Sequence, residues 1–577
     1  MLNKLCYDLL KTWCDKMVEL QITERKHKGL FGGFLCEACG FIHGRCADAI
    51  YPMITMYNKT KDEKYLKCAE NLFYWQKNNV RRCNGLNMND SSNSWYGVTE
   101  FYQISLGLTL LTHKDIIPKD LYNLWYDDFL SVTESIYKMP MFIYRKGTTV
   151  ATNYLVAYLT SMAVAYKVIG DEKYKRDAID QEEKILESIS EDGHFYGEAG
   201  GLKCTEKGHK NIDLGYNVEE SIGNFALYAQ LLDREEILKT CAELLKKSAE
   251  FMLPDGAWDN SWGSRAVKWT YYGSRTSDGS HFAFRILSDY DSMFYEMCLR
   301  YTLLMKEMTF DGLLSGGKMY KEAEMAPCVH HAFAHAKTLA YVVDNPFKKQ
   351  ERTSIPQDAE YGFKKLESAG VTLISIGDFR GTMSATSLKF DANQTISGGS
   401  ITCLYNKHYG VLFASNAKRY VSVEPANMQI PYDVYKEICQ TLRIDDGEFS
   451  SMLCLDGETT VIDNTYTVKG KLTNFSGLTS KEYQLSYAFL KDTIKITAKG
   501  NGVLQLPVVC SYDRKVEFTD NTVSFDNVVV SSNRKINFRE GYFKNRIFNS
   551  VGGFATLPLY IDLKDENNVE ISIKVTP

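Results

Sequence analysis

Residues 171–195 read DEKYKRDAIDQEEKILESISEDGHF. The stretch opens on Asp171, a good N-cap, continues as an amphipathic run, and stops at the turn pair Asp192-Gly193. Both ends recur. Lys61-Asp62-Glu63-Lys64-Tyr65 is a near copy of the opening, and Asp255-Gly256 and Asp311-Gly312 repeat the ending. Helical hairpins that return every ~50–60 residues indicate a repeat architecture, in which each pair buries its face against the next.

Working outward, Leu2, Leu5, Leu9, Trp13, Met17 and Leu20 predict a helix over 1–22. Further helices are predicted over 44–58, 62–78, 95–113, 118–137, 148–169, 171–190, 216–231, 234–252, 281–307 and 328–343. A closed or nearly closed (α/α) toroid is the expected arrangement, with an open solenoid as the alternative. The Gly-rich loops 29–45, 84–97, 144–153, 194–217 and 254–281 would line a cleft at one mouth. Residues 346–370, which open with PFKKQERTSIPQDAE, read as a charged, Pro-containing linker. Beyond it strands dominate, with clear alternation in TIKITA and VEISIKV and Asn, Asp and Gly in the turns. The fold class is therefore α+β multidomain: an N-terminal (α/α) toroid over 1–345, a linker over 346–370, and an antiparallel β-sandwich over 371–577.

At 577 residues the chain is too long for one core. Hydrophobic residues at 44% and charged residues at 24% are ordinary for a soluble protein. A net charge of −5 argues against a general nucleic-acid binder, although a local basic cluster can still hold a polyanion. No apolar run reaches the ~20 residues that span a bilayer. The N-terminal segment has no apolar signal core, and a trimmed signal peptide is not readable from it. The 15 cysteines are scattered and suggest buried free thiols and a reducing compartment. Cys36 and Cys39 form a CxxC whose close fellow is Cys46, and no second CxxC stands at zinc spacing. No cofactor or metal is expected, a structural ion being left open. Oligomeric state is not readable.

The segment 254–281, PDGAWDNSWGSRAVKWTYYGSRTSDGSH, has no helical or strand period. It sets Trp258, Trp262, Trp269, Tyr271 and Tyr272 among Arg265, Lys268 and Arg275. Aromatic faces stack on sugar rings, and Arg forks grip carboxylates. The segment reads as a loop for an acidic carbohydrate, against the plainer reading of a loop pinned by its own aromatics.

The order of toroid then sandwich resembles the toroid-plus-sandwich polysaccharide lyases, including the heparinase II/III-like, alginate and chondroitin lyases. DFRGTMSA (378–385), GGSITCLYNKHYG (398–410) and WDNSWGSRAVKWTYYGSRTSDG (258–279) are similar to segments of the heparinase-like group and of lyases that cut rhamnose–glucuronate linkages. The resemblance implies cleavage of an acidic polysaccharide or oligosaccharide by β-elimination at a uronic acid. That chemistry needs a neutraliser for the carboxylate, a base for the C5 proton and an acid for the leaving oxygen. Arg265 and Arg275 are candidate neutralisers, with Asn217 as an amide donor or, at capping-box spacing from Glu220, a helix cap. Tyr272, then Tyr271, are candidate acids, their phenolate favoured by adjacent arginines.

His331 is the candidate base. His335 shares its helix face and His330 points elsewhere. Such a pair can bind zinc, but HExxH and a third ligand are absent. His43 is a further candidate base, which Arg45 and Asp48 either orient or leave in order to cap the next helix, with His281 and His194 behind it. Trp262, Trp269, Tyr271, Lys268, Arg45 and His281 are candidate substrate-binding residues. His408 and Tyr409 lie in a strand turn that could reach the cleft. Glu37, Asp48, Asp213, Glu219, Glu220 and Asp259 keep a two-carboxylate glycoside hydrolase open. A non-catalytic glycan-binding protein is the third reading.

Overall fold

The computed structural model describes residues 1–577 apart from 28, 83–84, 87–96, 139–150, 199–200, 276, 388–395, 418–438 and 564–567. The helices are α1 (Leu2–Leu20), α2 (Ile50–Thr60), α3 (Glu63–Trp75), α4 (Gly97–Thr112), α5 (Lys119–Lys138), α6 (Thr152–Ile169) and α7 (Glu172–Leu186). They continue as α8 (Leu214–Tyr216), α9 (Ile222–Leu231), α10 (Glu235–Ser248), α11 (His281–Leu287), α12 (Met293–Glu307) and α13 (Val329–Asp344). Among the described residues α2, α4, α6, α9, α11 and α13 each pack on the next, and α13 returns to α2, so the ring closes. Outside it α3, α5, α7, α10 and α12 back their preceding partners, and α1 backs α13.

Composition decides which helix is inner. A helix apolar on all sides must be covered on all sides. Ile222–Ala229 of α9 and Val329–Val343 of α13 are buried throughout. Outer α7 buries only Tyr174, Ala178 and Ile185 along one stripe. The recurring punctuation does what its chemistry dictates. Asp62 and Asp171 accept from the backbone N–H of Lys64 and Lys173 and start α3 and α7. The Asp-Gly turns follow the outer helices α7, α10 and α12. At Gly256, with φ 93°, an added Cβ would lie 2.4 Å from the Arg300 carbonyl carbon. The helix expected over 281–307 is two: Asp291 caps Met293 N–H at 2.9 Å, and the Ser/Asp-rich turn 288–292 folds α11 and α12 into a hairpin.

A meander of Gly362–Leu366, Val371–Ile376, Phe379–Ser384, Ser400–Asn406 and Gly410–Ala414 leads the sandwich. The first of these strands lies inside the 346–370 segment. Just before it, Asp358 is held bidentately by Arg300 of α12 (2.8 and 2.8 Å), so this strap is fastened to the toroid. An eight-stranded antiparallel sheet covers one face of the meander. Strands of the meander are buried on both faces. Ile374, Phe379 and Leu404 face the sandwich core. Leu373, Cys403 and Tyr405 face the toroid's core. In the outer sheet Val569–Val575 alternates buried and open, as VEISIKV predicts.

Candidate functional site

Because the inner helices run in one direction, their N-terminal ends meet at one mouth of the ring. There the orphan N–H groups and helix dipoles favour an anion. The polar side chains at these ends form a continuous network. Arg45, in the 3₁₀ turn Gly44–Ala49 that leads into α2, lies 4.1 Å over the Phe101 ring of α4. It pairs with Asp48 at 2.7 Å, with Asp278 ahead of α11, and with Glu220 at 3.8 Å. Lys337 of α13 reaches Asp278 at 2.6 Å. Asn153, at the start of α6, donates its Nδ2 to Glu220 at 2.6 Å and its backbone N–H to Glu198 at 2.9 Å. Glu198 then binds Arg265 at 2.8 Å, and Asp213 binds the same guanidinium at 2.9 Å.

At the end of this chain stands Tyr216. Asp213 caps its helix by accepting from Tyr216 N–H. The Arg265 guanidinium lies 3.8 Å from the Tyr216 ring centroid, and Lys268 Nζ donates to its hydroxyl at 3.3 Å. Arg265 keeps 14% of its side chain exposed and reaches the lip, with Tyr216 and Lys268 buried just behind it. A π-helical turn, Asn217–Ser221, follows directly. Such turns re-aim side chains and are frequent at functional sites. Burial lifts several of the acids here. Burial raises Glu198 to about 7 against the pull of Arg265. Burial and then the charge of Asp278 raise Glu220. Glu100, whose carboxylate oxygens meet no partner among the described residues, is raised well above the usual range by burial and then by Glu220. Asp278 stays low because Lys337 and Arg45 outweigh burial.

A second polar cluster lies deeper. Glu219 accepts from Ser274 N–H at 2.7 Å, Ser277 Oγ, Tyr301 OH and His335 Nε2 at 3.2 Å. The Tyr272 ring meets His335 at 4.7 Å and His331 at 5.9 Å, edge to face. These side chains are buried, and so is Arg275, which donates to the Ser550 carbonyl of the sandwich at 2.7 Å.

The sequence candidates are thus divided. His331, His335, Tyr272 and Arg275 do come together, and His330 does point elsewhere, stacking on His43 at 4.2 Å. The expected low phenol pKa of Tyr272 is reversed. Burial and then the charge of Glu219 raise it well above its usual value, and Arg275 offsets only part. Burial holds His331 well below its usual range, and His281 down at about 3.

Asn217 is neither a free donor nor the cap. Its amide is taken by both backbone groups of Phe195 and by Asp213 O. His43 caps its turn by accepting from Arg45 N–H, while the Arg45 side chain turns to Asp48 instead. The ring faces expected to stack on sugar are covered. Trp262 packs on Phe251 at 4.7 Å, Tyr271 on Phe554 at 5.0 Å, and Trp269 beside Gly552 and Phe554. His281 binds Thr302 at 3.0 Å. Loop 254–281 is therefore pinned by its aromatics, and Arg265 is the member that reaches the lip, with Lys268 buried behind it on the Tyr216 hydroxyl. Tyr409 donates to Val509 O within the sandwich, and His408 lies by Asp378 at 3.4 Å, so this turn serves its own domain.

The expected cleft loops 84–97 and 144–153 fall largely outside the described residues. Tyr216, Asn153, Glu198, Asp278 and Lys337 were missed. A Gly-Tyr pair closing loop 194–217 was the available signal for Tyr216. Asp278 and Lys337 gave none, because their meaning lies in a pairing across 59 residues.

The sequence profile of the ulvan lyase N-terminal domain matches residues 10–360, and that of the ulvan lyase C-terminal domain matches 363–576. A broad-specificity ulvan lyase of Formosa agariphila is 33% identical over 594 residues, spanning 96% of this chain and 91% of that protein. Among solved structures, chondroitin AC lyase of Streptomyces coelicolor A3 superposes with a TM-score of 0.56 at 10% identity, over 99% of this chain and 79% of that one. Heparinase III superposes with a TM-score of 0.53 at 14% identity, over 92% and 76%. These two likenesses show the shared toroid-plus-sandwich fold.

Proposed function

This chain belongs to the ulvan lyase family and is a polysaccharide lyase; from that premise we propose that it cleaves an ulvan-type, uronate-bearing polysaccharide by β-elimination at the toroid mouth, with Tyr216 as proton carrier. The observation that carries the assignment is the setting of Tyr216, with Arg265 over its ring and Lys268 on its hydroxyl. Two cations stabilise negative charge on that oxygen, which is what a base requires. The same phenol, once protonated, can hand the proton to the leaving O4 when both sit on one side of the sugar. Arg265 and the converging helix N-termini are placed to offset charge that develops on the uronate carboxylate, the larger contribution in such reactions.

Arg265 is shared with Glu198 and Asp213. Protonation of Glu198 near neutrality loosens one of those claims, and a substrate carboxylate can take its place. The Tyr272, His331 and Arg275 cluster is enclosed and gives a sugar no surface, so it supports the lip from behind.

The test is a Tyr216→Phe variant assayed by the ultraviolet absorbance of the unsaturated uronate. Loss of the signal with an unchanged melting temperature supports the assignment, and near-normal rates overturn it. New reducing ends without that absorbance in the parent protein would mark hydrolysis and overturn the elimination itself.

A further inference from the structure

The toroid closes where α13 meets the loop leading into α2, and three sulfurs converge on that seam. Cys36 Sγ and Cys39 Sγ lie 3.5 and 3.4 Å from Cys328 Sγ. Cys36 and Cys39 belong to one CxxC turn, closed by Gly40 at φ 69° with a hydrogen bond from Gly40 N–H to Cys36 O at 2.8 Å. Cys328 is the N-cap residue of α13, 289 residues further on. All three donor atoms fall within 4.8 Å of one another. Thiolates bound to zinc at about 2.3 Å in a tetrahedron stand roughly 3.8 Å apart, so the two spacings to Cys328 need only a few tenths of an ångström of adjustment.

Backbone N–H groups of Val329 and Cys39 point at Cys36. The positive charge of Arg275 acts on Cys39. A dithiol–disulfide pair would need two of these sulfurs and leave the third without a purpose. Cys36 and Cys328 are buried while Cys39 is half-buried, which leaves a solvent side for a fourth donor.

We propose that Cys36, Cys39 and Cys328 form a structural site for a soft divalent ion, with zinc as its natural occupant and water as the fourth ligand. Binding displaces the thiol protons as the sulfurs become thiolates, and Arg275 offsets the remaining negative charge. The ion would fasten the loop bearing His43 and Arg45 to the helix bearing His331 and Lys337, at the point where the ring has no covalent continuity.

The experiment is metal analysis of the full chain expressed with zinc and purified under reducing conditions. About one zinc per chain is expected, falling to background in Cys328→Ser. Cobalt added to the reduced, chelator-treated protein should give a thiolate-to-cobalt charge-transfer band, and chelation should lower the melting temperature until zinc is restored. Protein that carries only background zinc and gives no cobalt–thiolate band overturns the proposal. So does an intact mass lighter by two hydrogens with the bond mapped among these cysteines. The cobalt measurement uses the unsubstituted chain, so it decides the matter even if Cys328→Ser does not fold.

Discussion

The lip around Tyr216 and the cluster around Glu219 are built from the same residue types, a few residues apart in sequence, and they differ in how fully their polar groups are satisfied. Glu219 has a donor from every side and sits out of solvent, binding loop 273–280 to the π turn. At the lip, Glu198 and Asp213 share one guanidinium, Glu198 is near its midpoint at neutral pH, and Arg265 touches solvent. A satisfied buried network rigidifies, whereas one left with excess acid and an accessible cation can accept a charged ligand. Titratable residues in a loop therefore do not announce catalysis; the residual charge does.

The sharpest break between the two regions is a pair of substitutions. Tyr216→Phe should lower turnover by about 10³-fold or more with no change in melting temperature, read by ultraviolet absorbance and thermal unfolding. Glu219→Ala should do the reverse. It leaves buried donors without an acceptor and should cost about 3–5 kcal/mol in chemical denaturation. The molecules that remain folded should keep turnover within about tenfold of the parent. If Glu219→Ala abolishes activity in well-folded protein, the two clusters are one site.

A smaller effect separates them by pH. The folded-state pKa of Glu198, about 7, lies above the ordinary 4.5, so the native chain binds this proton more tightly than the unfolded chain. The penalty for ionising it is absent below pH about 4.5, grows through the window, and is complete above about 7. Glu198→Gln cannot ionise, so its stability relative to the parent should rise across that window by at most about 3 kcal/mol. Urea unfolding at several pH values checks this, and a pH-independent difference would contradict it.

Smallest of all is Tyr272→Phe. Among the described residues its hydroxyl makes no well-formed hydrogen bond, and its ring contacts to His331 and His335 survive. Stability should move by less than about 1 kcal/mol and turnover by less than about tenfold. A drop as deep as that of Tyr216→Phe would return the chemistry to the inner cluster.

Helices, turns and their repetition were legible because they rest on local chemistry. Asp62 and Asp171 cap whatever follows them, and the Asp-Gly turns end whatever precedes them. The alternation of VEISIKV was likewise readable, since one face of that strand is open. The meander strands gave a weaker signal because both faces are buried, one of them against the toroid. Within 254–281 the arginines read as one group, whereas Arg265 binds Glu198 and Asp213 and Arg275 donates to the Ser550 carbonyl of the sandwich, a division that no local pattern carries.

The sequence by itself determined the two-part architecture and the ring-forming repeat, because periodicity, capping and turn residues act over a few positions; the acidic-glycan chemistry entered through the resemblance to the toroid-plus-sandwich lyases. Only the tertiary structure decided which tyrosine stands between two cations, which histidines are sealed behind a glutamate, and which distant cysteine completes the CxxC. Each depends on side chains dozens to hundreds of residues apart, brought together by ring closure, and burial sets their charge only after that packing exists.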